Sequence, residues 1–362
     1  MKLGNEPSAE AAVGQTRSLK IGFIGTGFIG QHQIKLLKKV AGAEVIGAAD
    51  IKESARSTAK ELGVAQTFDT YQKMLKGLPE IEAVSVCTPN GMHVEHTVAA
   101  LDAGKDVMVE KPMAMNAKQG RKMLDAARRN KKKLIVGFQH RFEPRTRMIR
   151  DQIVAGEFGK ILYVRAQALR RRGIPSWGVF GQKKLQGGGP MIDIGVHILE
   201  MAHYLIGSPE PISATGSTFT YLGNKPMEAL APWGAWDYKT YTVEDLAVGM
   251  IRFDTGAVLT VESSFAAHIE KDIWNVTIMG EKGGANWESS QIFTDHGGYM
   301  TNSTATVVGQ WDHFEYKMQH FVEVCRDGRA NEVPGEHGLM VQKMLDGIYA
   351  SAEQGREVRI KA

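Results

Sequence analysis

Residues 19–30 read LKIGFIGTGFIG, an apolar run from Ile21 to Ile24 that breaks on Gly25, Gly27 and Gly30. The spacing is GxGxxG, placed where a strand would turn into a helix. Each glycine meets a separate demand. Gly25 permits a tight turn, Gly27 lets a pyrophosphate approach the backbone, and Gly30 lets helix and strand pack closely. The phosphate would sit on the free N–H groups that open the helix. Glycines also mark ordinary turns, so the motif acquires meaning only from the frame around it.

That frame runs outward in a regular order. The pattern predicts a strand over 19–24, a helix over 28–40 and a second strand over 44–49 that ends at Asp50. Asp50 lies twenty residues after Gly30, where an acid hydrogen-bonds the ribose hydroxyls of an adenosine. It could equally be a strand-end turn residue. An acid here repels a 2′-phosphate and favours NAD over NADP, although Lys52 and Arg56 stand close by. Helices over 52–62 and 69–75 follow, then a strand over 83–86 and a helix over 93–103. A strand over 107–109 ends in Glu110, Lys111 and Pro112. Asn116 caps a helix reaching Arg129, and a strand over 133–138 closes the series. Strands alternating with helices on short connections imply a parallel sheet flanked by helices, with ligands at the strand ends after Gly25, Cys87 and Glu110.

After residue 139 the pattern changes. Helices are expected over 142–155 and 190–205, and strands over 160–169, 213–220, 245–253, 257–264 and 273–280. Tight turns such as Asp254–Gly256 make this antiparallel territory. Helices over 313–326 and 339–352 close the chain. The division is therefore a polar tail (1–18), a dinucleotide-binding domain (19–139) and a substrate-binding and oligomerisation domain (140–362).

Bulk properties narrow the function. With 362 residues and 43% hydrophobic content, the chain favours two domains. A formal charge of +4 is too mild to argue for nucleic acid. The two cysteines, Cys87 and Cys325, are far apart and form no CxxC, which suits a reducing, cytoplasmic setting. No apolar stretch is long enough to span a membrane, and the N-terminal residues do not read as a secretion signal.

Two constellations carry chemistry. Lys111 ends an apolar strand, where it could exchange a proton or bind a hydroxyl beside a cofactor, or simply face solvent. In QGGGPMIDIGVHILE (186–200), Asp193 and His197 stand four apart on one helical face. Such a pair suits general base chemistry or hydroxyl binding, or no more than helix capping. A metal is poorly supported, since no third ligand is evident. Arg170 to Arg172, with Trp177 nearby, could form a lid over a sugar or a plain solvated loop.

The sequence resembles the glucose–fructose oxidoreductase and inositol dehydrogenase family. The marks are GFIGTGFIG (22–30), Asp50, CTPNGMH (87–93), EKP (110–112), GFQHRF (137–142) and GGGPMIDIGVH (187–197). The resemblance implies a Rossmann-type N-terminal domain and a C-terminal α+β domain with a large, open, mostly antiparallel sheet. That sheet's outer face would make subunit contacts in a homo-oligomer. It implies that Lys111 holds the reacting hydroxyl, Asp193 orients the substrate and His197 is the general base. It implies cofactor contacts at Gly25, Gly27, Phe28, Ile29, Gly30, Asp50, Thr88, Asn90, His93, Glu110 and Gln139. RRRGIPSWGVF (170–180) resembles a narrower branch acting on glucosides, some oxidising the C3 hydroxyl. That branch implies a sugar site lined by Arg170, Arg172 and Trp177; His268 and Lys271, just after a predicted central strand, are expected to face substrate as well. The expected activity is hydride transfer between NAD and a secondary hydroxyl of a sugar or glycoside. Two rivals stand beside it: a redox-neutral glycoside-cleaving enzyme that retains NAD, and a non-enzymatic sugar- or nucleotide-binding regulator.

Overall fold

The computed structural model describes residues 17–361; apart from Arg17 and Ser18, the expected polar tail lies outside the described residues. The first half contains β1 (Leu19–Ile24), α1 (Phe28–Leu37), β2 (Ala43–Ala49), α2 (Glu53–Glu61), β3 (Gln66–Phe68) and α3 (Tyr71–Gly77). It continues with β4 (Ala83–Val86), α4 (His93–Asp102), β5 (Asp106–Val109), α5 (Ala117–Arg129) and β6 (Leu134–Val136). The six strands form one parallel sheet in the order β3-β2-β1-β4-β5-β6. A parallel sheet is covered on both faces, so its strands are apolar without alternation. Ile21, Phe23 and Ile24 in β1, all four residues of β4, and Val107 to Val109 in β5 are buried accordingly. Strand order reverses between β1 and β4, which opens the crevice where such sheets take ligands.

The second half begins with a 3₁₀ turn (Gln139–Phe142) and α6 (Pro144–Val154). It continues with β7 (Ile161–Leu169), α7 (Lys183–Gln186), α8 (Val196–Leu205), β8 (Pro211–Phe219), β9 (Leu246–Phe253), β10 (Val258–Ser264) and β11 (Ile273–Gly280). Last come β12 (Gly283–Asn286), β13 (Gln291–His296), β14 (Tyr299–Thr304), α9 (His313–Asp327), α10 (Gly335–Gln354) and β15 (Val358–Arg359). Nine strands order as β14-β13-β12-β11-β7-β10-β9-β8-β15. Every pairing is antiparallel except β7 with β10.

Several features depart from the sequence reading, the short helix α7 among them. Strands β3, β12 to β14 and β15 were not expected. They are short, or polar at the sheet's edge, so they lack the apolar alternation that marks a half-buried strand. The helix expected unbroken over 190–205 instead opens with a π turn over Met191–Gly195 before α8 begins. A wider turn of this kind often sits at a functional site.

The last two helices return to the first sheet. α9 packs on α1 and β1, and α10 packs on α5 and β6. The division expected at residue 139 is thus bridged by chain from the far end of the sequence. Among the described residues no helix is long and apolar enough to cross a membrane.

Candidate active site

The glycine turn has the form its spacing requires. Gly25 sits at φ +88°, and a side chain there would press on the Cys87 backbone. A Cβ on Gly30 would collide with the Gly25 carbonyl oxygen. Gly27 differs: it precedes α1 with no side-chain cap, and nothing lies within 4 Å of where its Cβ would be. The opening N–H groups of α1 therefore face free space. That cradle fits a dinucleotide pyrophosphate. Phe28 is almost fully exposed beside it, and Ile29 is half-buried.

Asp50 lies across the same turn. One carboxylate oxygen accepts from Thr26 N at 2.8 Å and the other from Lys52 N at 2.9 Å. Arg56 donates to the Asp50 and Ile51 carbonyls at 2.8 and 3.1 Å, so the basic residue binds backbone and leaves the carboxylate to the loop.

At the end of β4, Thr88 Oγ1 meets His96 Nδ1 at 3.0 Å, and Asn90 donates to the Gln186 carbonyl at 3.0 Å. The latter bond ties the crevice to the glycine run before Asp193. His93 spans two loops, with ring nitrogens 2.8 Å from the Thr88 oxygen and 2.9 Å from the Pro112 oxygen. Burial drives its pKa down against the pull of those carbonyls. The neutral ring has one N–H, which one of these two carbonyls takes, and His93 reads as a clamp behind the crevice. Gln139 is buried at the start of the 3₁₀ turn.

Glu110 ends β5 and is buried against Lys317 of α9, at 2.8 Å. Gln33 donates to the same oxygen at 2.6 Å, and Lys111 N to the other at 3.2 Å. Burial raises the carboxyl's pKa, but Lys317 and Lys111 outweigh it and hold the group below its ordinary value. Glu110 thus joins three elements and fixes the start of the next residue.

That residue is Lys111. Its Nζ donates to the Asp193 carbonyl at 2.8 Å and to the Asp193 carboxylate at 3.1 Å. The carbonyl belongs to the π turn. Ahead of that turn, Glu244 accepts from Gly189 N at 2.9 Å, Met191 N at 3.3 Å and Tyr349 OH at 2.6 Å. Glu244 anchors the start of the segment that aims Asp193 at Lys111. Four residues on, His197 has Nδ1 sealed from solvent without a partner, while the ring as a whole is half-buried. Nε2 is therefore the nitrogen that reaches the cleft. Burial, then the charges of Lys111, His140, Lys317 and Arg170, push its pKa well below the ordinary imidazole value. The ring is a neutral base at neutral pH.

The expected sugar-site residues divide into two groups. Arg170 is near the lysine–aspartate pair. Burial lowers its pKa against attraction from Asp193, and its guanidinium lies 4.3 Å from the Trp233 ring centre. Trp177 is more than half exposed and leans on Trp233 at 5.3 Å, with Ser176 Oγ donating to the Trp233 carbonyl. Arg172 and His268 meet each other at 2.9 Å and line a separate cavity of about 390 Å³ with Arg171, Ala229 and Leu230.

Sequence reasoning missed several neighbours. Lys317 pairs with Glu110 from 207 residues away, and only its place on an amphipathic helix was readable. Trp233 and Glu244 lie in a stretch with no periodicity. His140 falls inside the quoted GFQHRF motif but received no role. Among the described residues no group of three metal-ligating side chains forms, so Asp193 and His197 gain no third ligand.

Comparison with known proteins follows the same division. A model described as an oxidoreductase family with an NAD-binding Rossmann fold matches residues 19–138, and its companion, a C-terminal alpha/beta domain, matches 150–360. The chain is 38% identical over 319 residues to the D-glucoside 3-dehydrogenase of Escherichia coli K12, covering 88% of this chain and 90% of that one. It is 28% identical to levoglucosan dehydrogenase of Pseudarthrobacter phenanthrenivorans, covering 74% and 73%. It is also 28% identical to the NAD⁺-dependent scyllo-inositol 2-dehydrogenase of Bacillus subtilis, covering 84% and 86%. A solved levoglucosan dehydrogenase in complex with NADH superposes with a TM-score of 0.81 at 24% identity, over 95% of this chain and all of that one, a likeness of fold.

Proposed function

This chain belongs to the GFO/IDH/MocA oxidoreductase family, and on that premise we propose that it uses NAD to oxidise a secondary hydroxyl of a sugar or glycoside, C3 of a glucoside above others. The observation that carries the reading is Lys111 Nζ held on both oxygen types of Asp193, with neutral His197 beside them. We assign cofactor binding to residues 19–139 and substrate binding to 140–362.

When bound, NAD supplies the hydride acceptor. The protein's residues do the rest. Gly25, Gly27 and Gly30 shape the cradle that would hold the pyrophosphate, and Asp50 braces the loop and would accept from the ribose hydroxyls. Lys111 donates to the substrate hydroxyl and stabilises charge that develops on its oxygen. Asp193 holds Lys111 in place and leaves room on its carboxylate for a neighbouring hydroxyl. His197 takes the hydroxyl proton at Nε2. Its depressed pKa keeps it unprotonated and ready, at the expense of proton affinity. Arg170, Trp233 and Trp177 cover the outer side of the sugar. Arg172 and His268 stand one step further out, where a substituent on the sugar would reach.

We also propose a cytoplasmic homo-oligomer joined through the open face of the nine-stranded sheet, which presents Tyr163, Met250, Thr260 and Met279 around a shallow hollow. Two cysteines without disulfide partners fit that compartment. Light scattering on the purified protein tests the assembly; a strictly monomeric mass rules it out.

The activity test is NADH formation at 340 nm across free sugars, polyols and glucosides, with the product mapped by NMR. Lys111→Ala and His197→Ala should each lose at least about 100-fold in kcat while still binding NADH. Either variant within a few-fold of wild type sinks the assignment. Release of an aglycone without net NADH would replace the dehydrogenase by the redox-neutral reaction.

A further inference from the structure

The proton that His197 accepts has to leave again, and the way out is built beside it. His197 Nδ1 is sealed from solvent and unpartnered. The nearest ring is His140, in the 3₁₀ turn, with centroids 5.2 Å apart and planes at 88°. The rings are perpendicular and not hydrogen-bonded to each other in this pose, so a transfer between them needs one ring to turn.

His140 is set up to receive. Its Nδ1 is 3.3 Å from Glu143 Oε2, a contact that favours the tautomer with the proton on Nδ1 and the lone pair on Nε2. Glu143 also meets Arg145 Nε at 3.3 Å, and Arg145 is the member of the row that reaches solvent. The walls are dry. Trp274 lies 5.3 Å from His140 and 6.4 Å from His197, and His313 stacks on His140 at 5.5 Å. A buried ion pair between Arg141 and Glu200 locks the 3₁₀ turn to α8, which carries His197.

We propose that His140 and Glu143 form the exit for the substrate's hydroxyl proton. The proton enters His197 at Nε2, the one on Nδ1 passes to His140 Nε2, and the one on His140 Nδ1 passes to Glu143 and then to water. The inference rests on the oxidation reading above. Electrons and atoms balance: the alcohol gives up a hydride to NAD⁺ and a proton to the row, leaving ketone, NADH and H⁺. The charges facing the row favour outward movement. Lys111, Lys317 and Arg170 face His197 and repel a proton held there. Glu143 faces His140 and attracts one, while His313, with Asp312 nearby, stands over its ring. His140 and Glu143 act through His197, so both are positioning residues for the base.

The test uses the full-length enzyme with its best glucoside. His140→Ala should lower kcat about 10-fold or more, raise the solvent deuterium isotope effect on kcat, and regain rate with added imidazole. Glu143→Gln should produce a milder loss and move the pH profile of kcat. NADH affinity, read by fluorescence, should stay within twofold in both. An active wild type with a His140→Ala variant whose rate and pH profile overlay it overturns the exit and leaves the oxidation reading standing. A His140→Ala variant that loses rate without imidazole rescue or an isotope change marks a structural role and overturns the exit as well. A wild type that forms no NADH from any sugar removes both.

Discussion

Replacing Lys317 by Met removes one charge from the most deeply buried ion pair near the cofactor crevice while keeping much of the side chain's bulk. Lys317 Nζ stands 2.8 Å from Glu110 Oε1, and the two side chains are 1% and 9% exposed. At that distance the direct attraction is about 6 kcal/mol for an effective dielectric near 20. Much of it offsets the desolvation of the pair. The net consequence of removing one partner is about 3–5 kcal/mol, because the other charge is left buried. Glu110 retains Gln33 Nε2 and Lys111 N as donors, which argues for the lower end. A loss of about 3 kcal/mol lowers Tm by roughly 5–10 °C in a protein of this size. The pH dependence gives the sharper check. In the wild type Glu110 titrates below its ordinary value, so its contribution is present above that value and fades only as pH falls through the depressed one. In Lys317→Met the balance reverses: burial dominates, the carboxyl's pKa rises, and protonation relieves the strain. The Tm gap between variant and wild type should be widest near pH 8 and narrow on acidification towards pH 5. A Glu110→Gln/Lys317→Met double variant should recover part of the loss. A gap that is constant with pH, or a double variant less stable than the sum of the singles, refutes the reasoning.

Gly27→Ala and Gly30→Ala should part company. The first meets no neighbouring atom, so Tm should move little, within about 0.5 kcal/mol of stability, while NADH affinity falls at least about 10-fold. The second drives a methyl into the Gly25 carbonyl and should lose both stability, by about 1–3 kcal/mol, and affinity. Unchanged NADH binding in Gly27→Ala would place the pyrophosphate elsewhere. Asp50→Ser removes a carboxylate that accepts two backbone N–H groups; NADH affinity should fall about 10-fold and the preference over NADPH should narrow, as paired fluorescence titrations will show. The acid limb of kcat/KM should lie below pH 6.5, because a depressed His197 loses its base form only as pH falls through that lower value. A limb above 6.5 assigns the base to another group. Trp177→Ala should raise KM for a glucoside several-fold with kcat and NADH affinity unchanged; an equal loss for cofactor and sugar contradicts its placement over the substrate.

The parallel half of the fold was legible because its signals are local. A glycine turn, apolar strands and capped helices each occupy a few neighbouring residues, and Asn116 accepts from Gln119 N as its position predicts. Lys111, Asp193 and His197 stood out because they sit in strand-end or helical motifs, and the structure brings lysine and aspartate into contact. The geometry of that contact was not readable. The π turn depends on Glu244 reaching Gly189 and Met191 from 55 and 53 residues away, and no periodicity announces such a partner. His93 looked like a cofactor ligand because it follows the motif, and in the structure its ring lies between two backbone carbonyls. His140 sat inside a quoted motif, and its meaning appeared only when α8 set His197 against it. The β12–β14 strands escaped notice because their outer residues are polar or exposed, so burial does not impress alternation on them.

The long reach from Glu110 to Lys317 bears on how the polypeptide matures as it is made. β5 emerges from the ribosome with a carboxylate destined for burial, and its counter-charge is still 207 residues from being synthesised. The cofactor half is therefore a provisional structure until α9 arrives. A nascent chain stalled before α9 has left the ribosome should bind NADH poorly and digest readily with protease, while one with α9 and α10 both clear of it should resist. The nucleotide cradle is written first and completed last.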